Sequence, residues 1–228
     1  EEKYNQPFMR NGNITVFNGE IYNDEDIANH LNISYKKGQS DVAIVNKLFT
    51  NKNFLKHFIE FSEGMYSIAN YNPSNKEIIF LRDIFGIKPL YQAIKSNNLF
   101  ISSSPIVCRN LSEIEKSLDN KGISNYLLFR TTGNGQSIFS GISSVQNGTI
   151  YSFKDSQIKK ISSFDLKKIF YDFETNKKIT QDDVLLTLKK SIIQNCISDV
   201  GLTSTLSGGI DSSLIANILS NNNIQHSL

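Results

Sequence analysis

Two stretches of this sequence combine residue types that can hold a phosphate or a polarised small molecule. The first is Leu206-Ser207-Gly208-Gly209-Ile210-Asp211-Ser212-Ser213. Adjacent glycines let the backbone approach a ligand closely. A helix starting there presents unpaired N–H groups and a positive dipole end, which suits phosphate. Ser207, Ser212 and Ser213 add hydroxyl donors, and Asp211 is a candidate to hold Mg²⁺ against the phosphates. The loop has no lysine of the kind a P-loop kinase uses. A Gly-Gly strand-to-helix turn with no ligand is the alternative; the serine before it and the Asp-Ser after it favour a nucleotide. The second stretch is Phe17-Asn18-Gly19-Glu20-Ile21-Tyr22-Asn23. The Asn18 amide and the Gly19 N–H can donate to an oxyanion, and the Glu20 carboxylate can bind an ammonium group. On spacing alone, this is equally a plain turn.

These groups must be placed by the surrounding elements. Ile14-Thr15-Val16-Phe17 reads as a strand, Asn18 to Asn23 as a turn and Asp24 to Leu31 as a short helix. Ser40 is placed to cap a second helix carrying Val42, Val45, Leu48 and Phe49. Strands are expected at Ser67–Tyr71, Glu77–Leu81 and Leu99–Ser103, with a hairpin loop at Asn72-Pro73-Ser74-Asn75. Asn120 to Phe129 reads as helix, ended by Gly133-Asn134-Gly135. Phe54, Phe58 and Phe61 recur at helical spacing and are expected in a core. Residues 1–153 thus read as a largely antiparallel α+β domain, and the lysine-rich residues 154–178 as a connector. Residues 179–228 open differently. Thr180 and Asp183 form a capping box, Val184, Leu185, Leu188, Ile192 and Cys196 share one face, and a strand over Leu202–Leu206 precedes the glycine turn and a helix over Asp211–Leu219. Helix, strand, glycine turn, helix is how a parallel α/β domain begins.

A chain of 228 residues with 39% hydrophobic and 20% charged residues folds rather than staying disordered. Its net charge of +2 argues against a nucleic-acid binder, and no apolar run is long enough to span a membrane. Cys108 and Cys196 lie too far apart in sequence for a metal-ligand pair and read as small hydrophobes in a reducing, cytoplasmic setting. His30, His57 and His226 form no cluster.

The motifs also carry a resemblance. Ser-Gly-Gly-Ile-Asp-Ser at 207–212, preceded by Ser198-Asp199-Val200, resembles the pyrophosphate loop of ATP pyrophosphatases and the synthetase domain of asparagine synthetases. Phe17–Asn23 resembles the glutamine-binding strand of class II glutamine amidotransferases. Ser40-Asp41 resembles that family's Ser-Asp pair, and Arg82-Asp83-Ile84-Phe85-Gly86-Ile87-Lys88-Pro89-Leu90-Tyr91 its Arg-Asp-x-x-Gly-x-Lys-Pro-Leu-Tyr segment, which we read as structural. The order agrees as well, amidotransferase motifs first and pyrophosphatase loop second, over nearly the whole chain. The resemblance implies an incomplete N-terminal-nucleophile αββα sandwich followed by the beginning of a parallel-sheet ATP-pyrophosphatase domain. It implies Asn18 and Gly19 as the oxyanion hole, with Asn18, Gly19, Glu20 and Asp41 on glutamine. It implies Leu206, Ser207, Gly208, Gly209, Asp211 and Ser212 on ATP, with Mg²⁺ on Asp211. Ammonia from glutamine then attacks a carboxylate activated as its adenylate: aspartate, giving asparagine, or another acceptor in an antibiotic or surface-sugar pathway. The family reading also allows a homodimer. The N-terminal cysteine nucleophile of the family is absent, as are its first strands, and the sequence starts at Glu1 rather than Met. A fragment inactive toward glutamine is therefore expected, with a non-catalytic binding module as the rival reading. Ala43, Ser104 and Gln146-Asn147-Gly148 depart from the family pattern and leave the acceptor open.

Overall fold

The computed structural model describes residues 5–34, 40–114, 117–133, 135–165, 167, 179–198, 201–224 and 226–227. It divides into two compact units, Glu1–Asp165 and Leu166–Leu228.

The first unit is built on two antiparallel sheets. Strands β1 (Phe8–Arg10), β2 (Asn13–Ile21), β3 (Gly64–Asn72), β4 (Glu77–Arg82), β8 (Thr149–Lys154) and β9 (Gln157–Ser163) form a six-stranded sheet in the order β1-β2-β3-β4-β8-β9. Strands β5 (Tyr91–Lys95), β6 (Asn98–Ser102) and β7 (Ile142–Ser144) form a second sheet in the order β6-β5-β7. The period-2 alternation of strand side chains divides the apolar residues among three layers of core. Phe17, Tyr66, Ile68, Ile79, Leu81 and Ile150 point to one face of the large sheet. There they meet helices α1 (Asp24–His30), α2 (Asp41–Leu48) and α3 (Lys52–Phe61) through Ile27, Val45, Leu48 and Phe58. From the opposite face, Phe80 and Phe153 pack with Leu90, Val145, Leu99 and Ile101 between the sheets. Ala93, Phe100 and Ile142 then pack against Cys108 of helix α4 (Pro105–Ser112) on the outer side of the small sheet. Helix, sheet, sheet and helix succeed one another, which fits an αββα sandwich. Helix α5 (Asn120–Phe129) approaches residue 137 so closely that a Cβ on Gly122 would lie 2.1 Å from the Ser137 carbonyl oxygen.

Helix α2 is seated on the sheet by more than apolar contact. Asn46, fully buried at its centre, donates to Thr15 Oγ1 at 2.9 Å; Thr15 donates to Asn70 Oδ1 at 2.9 Å, and Asn70 to Asn13 Oδ1 at 3.2 Å. Buried amides with all partners present fix one register where apolar packing alone would tolerate several.

The Arg82–Tyr91 segment is a structural knot, as its sequence suggests. Asp83 is 1% exposed and accepts from the N–H groups of Tyr66, Phe85, Ile87 and Lys88 at 3.0–3.2 Å. Arg82 donates to the carbonyls of Gly86, Lys88 and Val145 and to Ser144 Oγ. The Gln146-Asn147-Gly148 loop joins the same knot, since the Gly148 N–H donates to the carbonyls of Arg82 and Asp83.

Two sequence readings are corrected here. Asn18 to Ile21 is strand, not turn, because β2 keeps its pairing with β3 through Ile21↔Gly64. The supposed connector begins with β9, an edge strand paired along β8 although Lys159 and Lys160 are both exposed. Most of the remaining connector, and Asp199 and Val200, lie outside the described residues.

The second unit holds helix α6 (Gln181–Gln194), strand β10 (Leu202–Thr203), helix α7 (Ile210–Asn221) and strand β11 (His226–Ser227). The Thr180–Asp183 capping box forms at the start of α6. Strands β10 and β11 pair in parallel, Leu202↔His226 and Thr203↔Ser227.

Candidate functional site

Strand β2 has an inner and an outer edge. β1 covers the outer edge only as far as the Phe8↔Thr15 pair. Beyond it, backbone groups of alternate residues continue to face outward. The Phe17 N–H donates to Gln6 Oε1 at 2.7 Å, and the Ile21 N–H to Asp41 Oδ2 at 2.9 Å. Gly19 lies midway, and its N–H faces the same way. The residue opposite it, Tyr66, is engaged elsewhere: its N–H goes to Asp83 Oδ2 and its carbonyl accepts from the Asp83 N–H. No described residue outside the strand ladder accepts from the Gly19 N–H. The result is an outward donor held between two fixed neighbours. Gly19 has φ +140°, and a Cβ there would fall 1.9 Å from the Met65 carbonyl oxygen, so only glycine fits.

Asp41 is brought to this edge by the start of α2, where Ser40 is the N-cap residue without a side-chain cap bond. Burial pushes the Asp41 carboxyl above its usual range. The Ile21 N–H and its own N–H pull it back, Asp24 raises it, and a hydrogen bond with the Glu20 side chain lowers it. Glu20 and Asp41, twenty-one residues apart, therefore meet as a carboxyl pair beside the outward Gly19 N–H. Asn18 is exposed on the same strand. A carboxyl pair next to an outward N–H would suit a substrate with an ammonium group at one end and a carbonyl under attack at the other.

Within the first unit, Cys108 packs on the outer side of the small sheet, away from the β2 edge. Cys108 is buried against Phe100, its thiol pushed up to about 11 by burial. Cys196 bonds back to the Ile192 carbonyl in the second unit. His30 stacks on Phe54 and Phe61, and His57 faces Glu60 on the surface. The His226 side chain lies outside the described residues.

In the second unit, Ser207, Gly209, Asp211 and Ser212 line a cavity of about 660 Å³, together with Ser204, Thr205, Asn195 and Cys196. Leu206 and Gly208 belong to the same loop but are not among the lining residues. Gly208 has φ +81° with open space around it. The N-cap of α7 is Gly209, with no side-chain cap bond, so Asp211 is a first-turn residue and not the cap. Ser207 Oγ and Ser212 Oγ are 3.1 Å apart. Ser204 Oγ is buried without a hydrogen-bond partner. An orphaned hydroxyl, two facing hydroxyls, an uncapped helix start and one carboxylate fit a phosphate-bearing ligand with a divalent ion held largely by that ligand. Sequence reasoning missed Ser204, whose only signal is its place at the end of β10. It also missed Gln6, flagged by nothing but the proline after it.

The family described as glutamine amidotransferase domain matches residues 1–164, and that described as asparagine synthase matches residues 183–225. A putative glutamine-hydrolyzing asparagine synthetase of Mycobacterium bovis is 24% identical over 217 residues, covering 89% of this chain and 32% of that protein. Glutamine-hydrolyzing asparagine synthetase 2 of Bacillus subtilis is 29% identical over 230 residues, covering 92% of this chain and 30% of that protein. The chain thus spans about a third of the length of these relatives. Among solved structures, a glutamine phosphoribosylpyrophosphate amidotransferase from B. subtilis complexed with ADP and GMP is 15% identical, matching 100% of this chain and 49% of that one at a TM-score of 0.48. That likeness carries no functional weight. With well over half of its residues matched, the chain belongs to the glutamine amidotransferase domain family.

Proposed function

We propose that the first unit binds glutamine at the outer edge of β2. Asp41, with Glu20, takes the α-ammonium group. The Gly19 N–H and the Asn18 amide hold the oxyanion formed as the side-chain carbonyl is attacked. The observation that carries this reading is the outward Gly19 N–H, fixed between the Phe17–Gln6 and Ile21–Asp41 bonds. The attacking thiol is assigned to an N-terminal cysteine of the natural full-length protein, as the family resemblance implies; Cys108 is buried in the core behind the small sheet. The ammonia released serves ATP-driven amide formation. Ser204, Ser207, Ser212 and the start of α7 hold the phosphates, and Asp211 holds Mg²⁺. ATP supplies the leaving group that makes a carboxylate electrophilic. Aspartate is the acceptor that the family match over 183–225 favours; another carboxylate acceptor would use the same two sites.

The test compares L-glutamine with glutaramate, which lacks the α-amine, in the natural full-length protein. Glutamine is expected to be hydrolysed and glutaramate left untouched. Equal turnover of both removes the ammonium site from the reading.

Asp41→Asn separates binding from stability. Removing a charged hydrogen bond to substrate typically costs about 1.5–3 kcal/mol, so KM for glutamine is expected to rise roughly 10- to 150-fold. The melting temperature at pH 7 is expected to hold or rise. A carboxyl whose folded pKa is raised stabilises the fold at low pH and loses that contribution as pH rises, so at neutral pH the buried charge is a cost that asparagine lacks. Asparagine Oδ1 can still accept the Ile21 N–H. For the same reason, wild-type glutamine affinity is expected to fall, on acidification, at a pH above the ordinary aspartate value of about 3.9. A fall in melting temperature with unchanged KM would make Asp41 purely structural.

A further inference from the structure

We infer that Gln6 is a positioning residue for the oxyanion donor, an inference that rests on the glutamine reading above. The β1–β2 ladder pairs Phe8 with Thr15, Met9 with Ile14 and Arg10 with Asn13. Continued by two residues, the same register sets residue 6 opposite residue 17. The β1–β2 backbone ladder ends at Phe8, with Pro7 and then Gln6 before it in the chain. The Gln6 side chain then occupies the vacant register. Its Nε2 donates to the Phe17 carbonyl at 2.9 Å, and its Oε1 accepts the Phe17 N–H at 2.7 Å. A primary amide carries a donor and an acceptor side by side, as a strand residue does, so it completes the pair that the backbone cannot.

The Phe17 carbonyl belongs to the peptide that joins Phe17 to Asn18, and the next peptide carries the Gly19 N–H. Asp41 holds the far side of that donor through the Ile21 N–H at 2.9 Å. Between these two clamps, no described strand pairs with the outer edge of β2. Gly19 adds a loose joint, since its φ of +140° is one that glycine adopts at little cost but does not hold on its own. Without the Gln6 clamp, the described outer-side tethers of this stretch are the β1 pairing at Thr15 and the Asp41 bond at Ile21, four residues beyond Phe17, and the oxyanion donor loses its nearest support on the Phe17 side. Displacement of a catalytic group by about 1 Å is enough to cost on the order of 100-fold in rate. The ammonium subsite at Asp41 is on the other clamp and keeps its geometry.

The experiment is Gln6→Met, which keeps length and volume but removes both hydrogen-bonding groups, in the natural full-length protein. Expected is a fall of 10- to 100-fold in kcat for glutamine hydrolysis, with KM for glutamine changed less than threefold and ammonia-dependent amide formation unchanged. Hydrogen exchange at the Phe17 amide is expected to quicken. Gln6→Glu retains the acceptor for the Phe17 N–H but, ionised, repels the Phe17 carbonyl. It is expected to be no better than Gln6→Met at neutral pH and to regain kcat relative to wild type as the carboxyl protonates. A merely structural glutamine would lower both nitrogen activities together with the melting temperature. Unchanged kcat for Gln6→Met, with wild type hydrolysing glutamine normally, overturns the inference and leaves the glutamine site standing. Wild type that does not hydrolyse glutamine overturns both.

Discussion

Asn18→Ala is expected to lower kcat for glutamine hydrolysis by about 100- to 1000-fold, the effect of removing one oxyanion donor, or about 2.7–4 kcal/mol of barrier. Two features make this substitution cleaner than any change at Gly19. Asn18 is exposed, and truncation of an exposed side chain away from a cap or network usually moves stability by less than about 0.5 kcal/mol. Gly19 cannot be replaced without driving a Cβ into the Met65 carbonyl, so a loss of activity there would report the fold and the donor together. The decisive comparison is between nitrogen sources in the natural full-length protein. Amide formation from free ammonia bypasses the first unit's chemistry and is expected to proceed at the wild-type rate. Glutamine-dependent formation should fall with glutaminase activity. Steady-state kinetics with each source, on protein of unchanged melting temperature, gives the answer. Equal losses with both sources would take Asn18 out of the oxyanion site.

The residues proposed to act directly are named from the sequence, and the residues that hold them are not. Asn18, Gly19 and Glu20 have types that suit a ligand but on spacing alone read equally as a turn, Asp41 is named through the family resemblance, and Ser207 and Ser212 by their place around a Gly-Gly pair. What spacing misread was the local state. Asn18-Gly19-Glu20 is rich in turn formers, yet it is strand, because Tyr66, Ser67 and Met65 of β3 supply a partner that only the tertiary fold provides. β9 was missed for a similar reason: its Gln-Ile-Lys-Lys-Ile-Ser-Ser run sets two lysines side by side and shows no apolar alternation to detect. The meeting of Glu20 with Asp41, and the Gln6 clamp on Phe17, depend on long-range register, which leaves no local periodic trace. The capping box at Thr180 and Asp183 lies at the other extreme, since both partners fall within one four-residue stretch and the geometry is implied by their spacing.

Asp83→Ala is expected to cost the first unit about 3–5 kcal/mol, since it strips the acceptor from several backbone N–H groups at about 1–3 kcal/mol for each one left buried and unsatisfied. That is a large share of the roughly 5–15 kcal/mol that holds a domain together. The carboxylate divides its work evenly. Oδ1 accepts from Phe85 and Ile87, and Oδ2 from Tyr66 and Lys88. Phe85 and Ile87 are exposed, so water can replace part of the Oδ1 pair. The Tyr66 N–H cannot be rescued in this way, because Tyr66 is 1% exposed in the middle of β3. Asp83→Asn is therefore expected to be nearly as damaging as alanine. Whichever way its amide turns, an NH₂ group faces two N–H donors where an acceptor is required. For a domain of this size, the melting temperature should drop by roughly 6–20 °C for either variant, as followed by circular dichroism. The loss reaches the site through Tyr66, which lies opposite Gly19 and whose backbone Asp83 keeps turned away from it. A variant that melts like wild type but fails to use glutamine would make Asp83 a participant in the reaction rather than the anchor of the strand behind it.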